Sequence, residues 1–287
     1  MGLAPQDYEE LIRTVHDQYG GMSKAHQQIA LFITQNPNDV AVKPLNAIAE
    51  ACGIHASSFV RFAQSLGYDG FKEMQSLFQK RLSTAAPGFE ARVKALESEL
   101  SAHGQQGSKG FLHDLVLKDI ASLQELLSDI DAASLDAAVN ILEKADTVYL
   151  IGQLRSGPIV EFLRYVLTML GKRAVLLDAG GGLATHMAKT IRANDALLAV
   201  AFRFYANEVV NIVEQAGARQ VPVIAITDST LSPLAKNAAA LFSVPERQYS
   251  FSRSLAAPMC LAQALTLALA SKLQRAHDPR IPIVTQP

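Results

Sequence analysis

Along the first third of the chain apolar residues recur at helical spacing, and the clearest instance is a pair of short segments around Gly53. Leu45, Ile48, Ala49 and Cys52 fall on one helix face, and Phe59, Phe62, Ala63 and Leu66 form a second apolar set. Gly53 between them suits the left-handed residue that follows a helix. Two short helices joined by a tight glycine turn form the helix-turn-helix unit. Ala49 is small where the helices must approach, Ile54 fills the corner behind the turn, and Phe59 and Phe62 are expected to face inward. Ser57, Ser58, Arg61 and Gln64 then face outward, on the helix that would enter a DNA major groove. The plainer alternative is an ordinary helical hairpin. Around this pair the pattern predicts helices over Tyr8–Gln18, from a Ser23 cap to Asn36-Pro37-Asn38, and over Phe71–Leu82, where Lys72 is a further candidate DNA contact. The expectation is a five-helix domain spanning residues 1–82.

The pattern then changes. Ser83-Thr84-Ala85-Ala86-Pro87-Gly88 opens a stretch of small and breaking residues, read as a linker over 83–111. Two helices follow between Leu112 and Glu143. Continuously apolar runs recur at Thr147–Ile151, Ala174–Leu177, Ala196–Ala201, Val221–Thr227 and Ala239–Val244. Helical stretches such as Ile159–Leu170 and Asn207–Ala216 separate them, and an apolar helix, Ala257–Leu273, closes the series. Strands buried on both faces and alternating with helices predict a doubly wound parallel sheet, an α/β domain over 112–275 with a tail at 276–287.

Composition narrows this picture. Apolar residues make up 49% and charged residues 18%, the balance of a globular protein. The formal net charge is −1, which excludes a generally basic nucleic-acid binder. Residues 1–82 hold seven Lys and Arg against eight Asp and Glu, so only a local basic face from His55 to Leu82 supports DNA contact. Cys52 and Cys260 lie in apolar helical stretches without metal-ligand spacing, and both read as buried hydrophobes in a reducing compartment. No signal peptide and no run of about 18 apolar residues is expected, so the reading is cytoplasmic, without membrane contact.

In an open α/β sheet ligands sit at the carboxyl ends of the strands. Three loops qualify. Gly152-Gln153-Leu154-Arg155-Ser156-Gly157-Pro158 follows the first run and offers Gly152, a guanidinium at Arg155 and a hydroxyl at Ser156. It also reads as a plain turn, with Ser156 capping a helix and Pro158 in its first turn. Arg203 and Tyr205 stand after the third run, and Asp228 and Ser229 after the fourth, where they also read as caps of a following helix. Gly180-Gly181-Gly182 lacks the spacing of a dinucleotide site, and Arg253-Ser254 precedes the last helix. No cofactor and no metal are expected.

Leu45 to Gly53, Ser58-x-x-Arg61-Phe62 and Leu66-Gly67-Tyr68-Asp69-Gly70-Phe71, taken with the α/β half, resemble the ribose-phosphate-isomerase-regulator family. These are bacterial transcriptional regulators that join an N-terminal helix-turn-helix domain to a C-terminal sugar isomerase (SIS) domain. The resemblance covers roughly Gln18 to Leu273, with His55 where the family usually has Ser. It implies a DNA-binding regulator of carbohydrate-related metabolism, a homodimer or homotetramer on a two-fold related double-stranded site. Its effector would be a sugar phosphate or sugar acid. The family's Gly-x-Gly-x-Ser loop stands here as Gly152-Gln153-Leu154-Arg155-Ser156, and its hydroxyl-rich Ser-x-Ser-Gly-x-Thr loop as Ala201-Phe202-Arg203-Phe204-Tyr205-Ala206. Either arginines take over the work of the hydroxyls or the ligand is not a phosphosugar. The rival reading is an SIS-type sugar-phosphate isomerase with an added helical domain. Isomerisation needs a general base, and Ser254 to Lys272 holds no Glu, Asp or His, which favours sensing over turnover.

Overall fold

Six helices lie between Tyr8 and Ser83 in the N-terminal unit of the computed structural model, which describes residues 4–83, 93, 96–101, 107–178, 182–203, 205–244 and 253–277. The chain divides into two compact units, Met1–Ser98 with Leu231–Lys236 and Glu99–Thr230 with Asn237–Pro287. In the first, α1 (Tyr8–Gln18) starts at Asp7, whose carboxylate accepts the Glu10 N–H at 2.8 Å. α2 (Lys24–Gln35) starts at Ser23, whose hydroxyl accepts the His26 N–H. α4 (Leu45–Cys52) and α5 (Ala56–Ser65) are the pair around Gly53, and α6 (Phe71–Ser83) follows them. The expected count of five was one short. Asn36-Pro37-Asn38 ends α2 and also begins α3 (Pro37–Val42), because proline in the first turn of a helix lacks no needed donor. Val40 and Ala41 of α3 are buried beside Ile29, Ile33, Ile48, Phe59, Phe62, Met74 and Phe78 in one core.

Two helix ends in this unit close the same way. Gly53 adopts φ 69°, and the Ile54 N–H reaches back to the Ala49 carbonyl at 3.0 Å. Gly67 adopts φ 97°, and the Tyr68 N–H reaches Ala63 at 3.2 Å. The second closure also docks the N-terminal arm: the Tyr68 hydroxyl donates to the Pro5 carbonyl at 2.9 Å, and a Cβ on Gly67 would stand 3.2 Å from the backbone of Ala4. Burial, reinforced by the carboxylates of Glu10, Glu73 and Asp7, pushes the Tyr68 phenol well above its ordinary pKa.

The second unit begins with α7 (Gly107–Asp129) and α8 (Ala132–Lys144). α7 starts inside the stretch expected as linker, and residues 96–101 are helical too. The helix thus begins five residues upstream of Leu112, through Gly107, Ser108, Lys109 and Gly110, which give no apolar signal. The expected linker residues 84–88, the glycines 180 and 181, and the tail from 278 lie outside the described residues. A parallel sheet follows: β1 (Thr147–Ile151), β2 (Arg173–Leu176), β3 (Ala196–Val200), β4 (Val223–Thr227) and β5 (Ala240–Ser243), in the order β2-β1-β3-β4-β5. Leu150 pairs with Leu176 on one side and Leu198 on the other. Between the strands run α9 (Gly157–Met169), the short α10 (Ala184–Ala188) and α11 (Asn207–Ala218), and α12 (Ala256–His277) closes the fold. Val148, Leu150, Leu198, Val200, Ile224 and Ile226 turn one face of the sheet into a core with α8, α9 and α12. Helix α11, carrying Val209, Ile212, Val213 and Ala216, covers the other face. The doubly wound α/β expectation therefore holds. Lys172 anchors the entry to β2: its ammonium donates to the carbonyls of Glu143 and Ala145 at the end of α8, and burial lowers its pKa against the pull of Asp146 and Glu143.

Two expectations about α12 are corrected. Its stretch Ala256–Gln274, mean hydropathy 1.3, is long and apolar enough to cross a membrane by length and composition. Gln263 and Thr266 weigh little against the Leu and Ala around them, and the Thr266 hydroxyl is satisfied by the Ala262 and Gln263 carbonyls. Ala257, Leu261, Ala262, Leu265 and Leu269 are nevertheless packed in the sheet core, the place of a core helix. Cys260 was expected buried and is exposed, because α12 is apolar all round and Cys260 falls on the side turned away from that core; Cys52 is buried, which raises its thiol pKa.

Gly67→Ala is expected to destabilise the N-terminal unit by about 1–3 kcal/mol, since it adds strain at positive φ and a contact with the Ala4 backbone. Urea denaturation of wild type and variant measures it; equal midpoints would contradict the arm-docking role.

Candidate functional site

On α5, Phe59, Phe62 and Ala63 point into the core. The opposite side presents Ser57, Arg61 and Gln64, all exposed and spaced four and three residues apart, so one helix face carries them. Ser58 is half-buried at the edge of that face, and Lys72 is exposed in the first turn of α6. The Gln64 amide also donates to the Asp69 carbonyl at 3.4 Å, which ties it to the turn. His55 holds the N-cap position of α5 in extended geometry, φ −61° and ψ 140°, but its side chain makes no cap bond. The Ser58 N–H instead donates to the His55 carbonyl at 2.9 Å.

The second candidate site lies in the α/β unit. From β1 the chain runs through α9 to β2 on one side, and from β3 through α11 to β4 on the other. A crevice therefore opens at the carboxyl ends of β1 and β3, where strand order reverses. The β1 loop and the β3 loop face each other there. The Arg155 guanidinium lies over the Phe202 ring, 4.6 Å from its centroid, a cation–π contact that holds it across the crevice. The Gln153 amide donates to the Glu208 carboxylate at 2.6 Å, and the Thr185 hydroxyl of α10 donates to the other oxygen at 2.9 Å.

The turn itself keeps a shape its sequence does not advertise. Gly152 is fixed by packing, since a Cβ there would stand 2.9 Å from Val160 Cγ1 and 3.1 Å from Ser156. Leu154, standing where the family has its second glycine, adopts φ 55° with its side chain exposed. The left-handed turn survives the loss of the glycine, at a steric cost of about 1 kcal/mol. Ser156 occupies the N-cap of α9 but makes no side-chain cap bond, so capping is not its role. Ser156 is buried.

Asp228 and Ser229 cap no helix either. The Asp228 carboxylate accepts the Arg203 N–H at 3.1 Å and the Tyr205 hydroxyl at 2.7 Å, so the end of β4 shapes the β3 loop. Ser229 is buried beside it in sequence. Gly152, Arg155, Ser156, Arg203, Tyr205, Asp228 and Ser229 are thus carried by the carboxyl ends of three adjacent strands. Sequence reasoning missed Gln153, Thr185, Phe202 and Glu208. Glu208, in the first turn of α11, carries only the ordinary signal of an acid at a helix N-terminus. Arg253 precedes α12, buried and with φ 34°. Among the described residues no cluster of His, Cys, Asp or Glu has the makings of a metal site.

Comparison with known proteins agrees with both halves. Residues 9–85 match the family described as helix-turn-helix domain, rpiR family, and residues 141–268 match the SIS domain family. The chain is 21% identical over 272 residues, 94% of each protein, to an uncharacterized HTH-type transcriptional regulator of Thermotoga maritima. It is similar to the sugar isomerase domain of an RpiR transcription factor from Sphaerobacter thermophilus, 26% identical with a TM-score of 0.52 over 58% of this chain and 97% of that one. It shares the fold of the Vibrio vulnificus NanR protein complexed with ManNAc-6P, 20% identical with a TM-score of 0.52 over 96% of this chain and 100% of that one.

Gly152→Ala is expected to cost about 1–3 kcal/mol, because the methyl meets Val160 and Ser156 in a packed turn. Leu154→Gly is expected to leave stability within about 1 kcal/mol of wild type, relief of the left-handed strain offsetting the added chain entropy. Thermal melts of the two variants test this; a Leu154→Gly loss as large as that of Gly152→Ala would contradict the reading of the turn.

Proposed function

This chain belongs to the RpiR family of transcriptional regulators, a helix-turn-helix domain joined to an SIS domain, and on that premise we propose that it reads DNA with α5 and senses an anionic sugar derivative in the crevice between β1 and β3. The observation that carries the effector half is the placement of Arg155 over Phe202, with Arg203 on the facing loop. Guanidinium groups supply charge-assisted, fork-shaped bonds suited to a phosphate or carboxylate. Arg203 stands where the family's hydroxyl-rich loop has a serine, and Arg155 stands next to the retained Ser156, so a sugar acid suits the site as well as a sugar phosphate. The family setting and the absence of a carboxylate or His from Ser254 to Lys272 favour sensing without turnover, in the cytoplasm and without a cofactor.

One helix-turn-helix unit contacts too few base pairs for strong specificity, so the working form is a homodimer or homotetramer on a two-fold related operator. Leu112, Val116 and Ile120 of α7 are exposed at four-residue spacing, with Leu117 and Leu127 beside that line and Leu267 exposed on α12. Such a face is suited to a second copy of the chain. An effector acts on DNA affinity only through its differential affinity for two arrangements of that assembly.

Three outcomes follow. Arg61→Ala is expected to weaken binding to a DNA fragment from the protein's own control region by about 1–3 kcal/mol. An unchanged footprint would remove Arg61 from the reading face. Arg155→Ala is expected to keep DNA affinity in the absence of ligand and to lose the response to any sugar phosphate or sugar acid that shifts the wild type; an equal response at equal ligand concentration would leave Arg155 a turn residue. Ile120→Glu is expected to lower the oligomeric state seen by analytical ultracentrifugation, and an unaltered sedimentation profile would place the contact elsewhere.

A further inference from the structure

Glu208 is a half-buried carboxylate at the crevice, in the first turn of α11. An acid in the first turn of a helix normally complements the helix dipole from solvent. Here both oxygens are instead drawn across the crevice, one accepting from Gln153 of the β1 loop at 2.6 Å and one from Thr185 of α10 at 2.9 Å. Both partners are neutral donors. The group thus sits beside two arginine-bearing loops, held by an amide and a hydroxyl, the same kinds of donor that a sugar presents. Each oxygen of a carboxylate can accept more than one bond, so ligand hydroxyls can join or replace these donors without leaving the carboxylate unsatisfied.

We propose that Glu208 is a specificity-determining residue of the effector crevice, one that selects ligands with a single anionic end and a neutral hydroxyl-bearing remainder. This rests on the reading of the crevice as the effector site. Arg155 and Arg203 draw one anionic group; Glu208 accepts hydrogen bonds from the hydroxyls that follow it. A second anionic group placed at Glu208 meets a like charge and offers no donor, so it is rejected both electrostatically and by the bonds it cannot make. Asp228 does not do this work, because it is buried together with the Tyr205 hydroxyl that it holds, whereas Glu208 is only half-buried.

The test compares matched ligands in the intact protein. D-Gluconate against D-glucarate, and D-glucose 6-phosphate against 6-phospho-D-gluconate, each differ by a second anionic group in place of a neutral end. Wild type is expected to bind the singly anionic member of at least one pair about tenfold or more tightly in calorimetric titration. Glu208→Gln, which keeps the shape and one acceptor oxygen, is expected to reduce that preference to about threefold or less. Thr185→Val, which removes a donor but no charge, is expected to retain it; its melting temperature beside that of Glu208→Gln shows that both variants fold. Binding to wild type with the same preference in Glu208→Gln overturns this inference alone. Failure of all four ligands to bind wild type overturns it together with the anionic-sugar reading of the crevice.

Discussion

The parallel pairing of β1 with β3 is the constraint on which the α/β half depends. Val148 to Ile151 lie in register with Ala196 to Ala199, yet the two strands send their chains to opposite edges and opposite faces of the sheet. No crossover covers the carboxyl ends at that junction. The loops after β1 and β3 and the first turns of α9 and α11 meet at that junction. On the proposed reading the binding groups follow from this reversal: Arg155 and Gln153 arrive from one side, Phe202, Arg203 and Glu208 from the other.

Within that frame the chain reaches a familiar turn by unfamiliar means. The glycine expected at position 154 is a leucine, and the backbone still enters the left-handed region there, φ 55°. Gly152, by contrast, is dictated by contact with Val160 and Ser156. The β3 loop has lost its hydroxyls and gains order from Asp228, which reaches over from β4 to the Arg203 N–H and the Tyr205 hydroxyl. On the proposed reading, Arg155 and Arg203 supply the anion contacts that hydroxyls usually supply in the family's loops. A guanidinium stacked on an aromatic ring loses little freedom when it binds an anion, which suits a sensor that must hold a small ligand.

Much of the fold was legible because its signals are local. Continuous apolar runs marked all five strands to within a few residues, and Gly53 with Ala49 and Phe62 marked the paired helices of the N-terminal unit. The misreadings share a cause. Pro37 reads as a helix breaker unless its place in the first turn of a new helix is recognised. Cys260 reads as buried because an evenly apolar helix does not reveal which side meets the sheet. Glu208 went unread because its partners lie far off in sequence, Gln153 by 55 positions and Thr185 by 23. Asp228 read as a helix cap for the same reason, its bonds being formed with the loop after another strand. Periodicity reports which face of an element is buried; it does not report which loops a sheet brings together.

The central claim is that the effector occupies the crevice between the carboxyl ends of β1 and β3. Hydrogen–deuterium exchange of the intact protein, with and without the anionic sugar that raises its melting temperature most, measures this directly. The account predicts slowed exchange in the β1 loop, residues 152–157, and in the β3 loop with the first turn of α11, residues 202–209. Protection confined to other parts of the chain, with these two loops exchanging as they do without ligand, would contradict it.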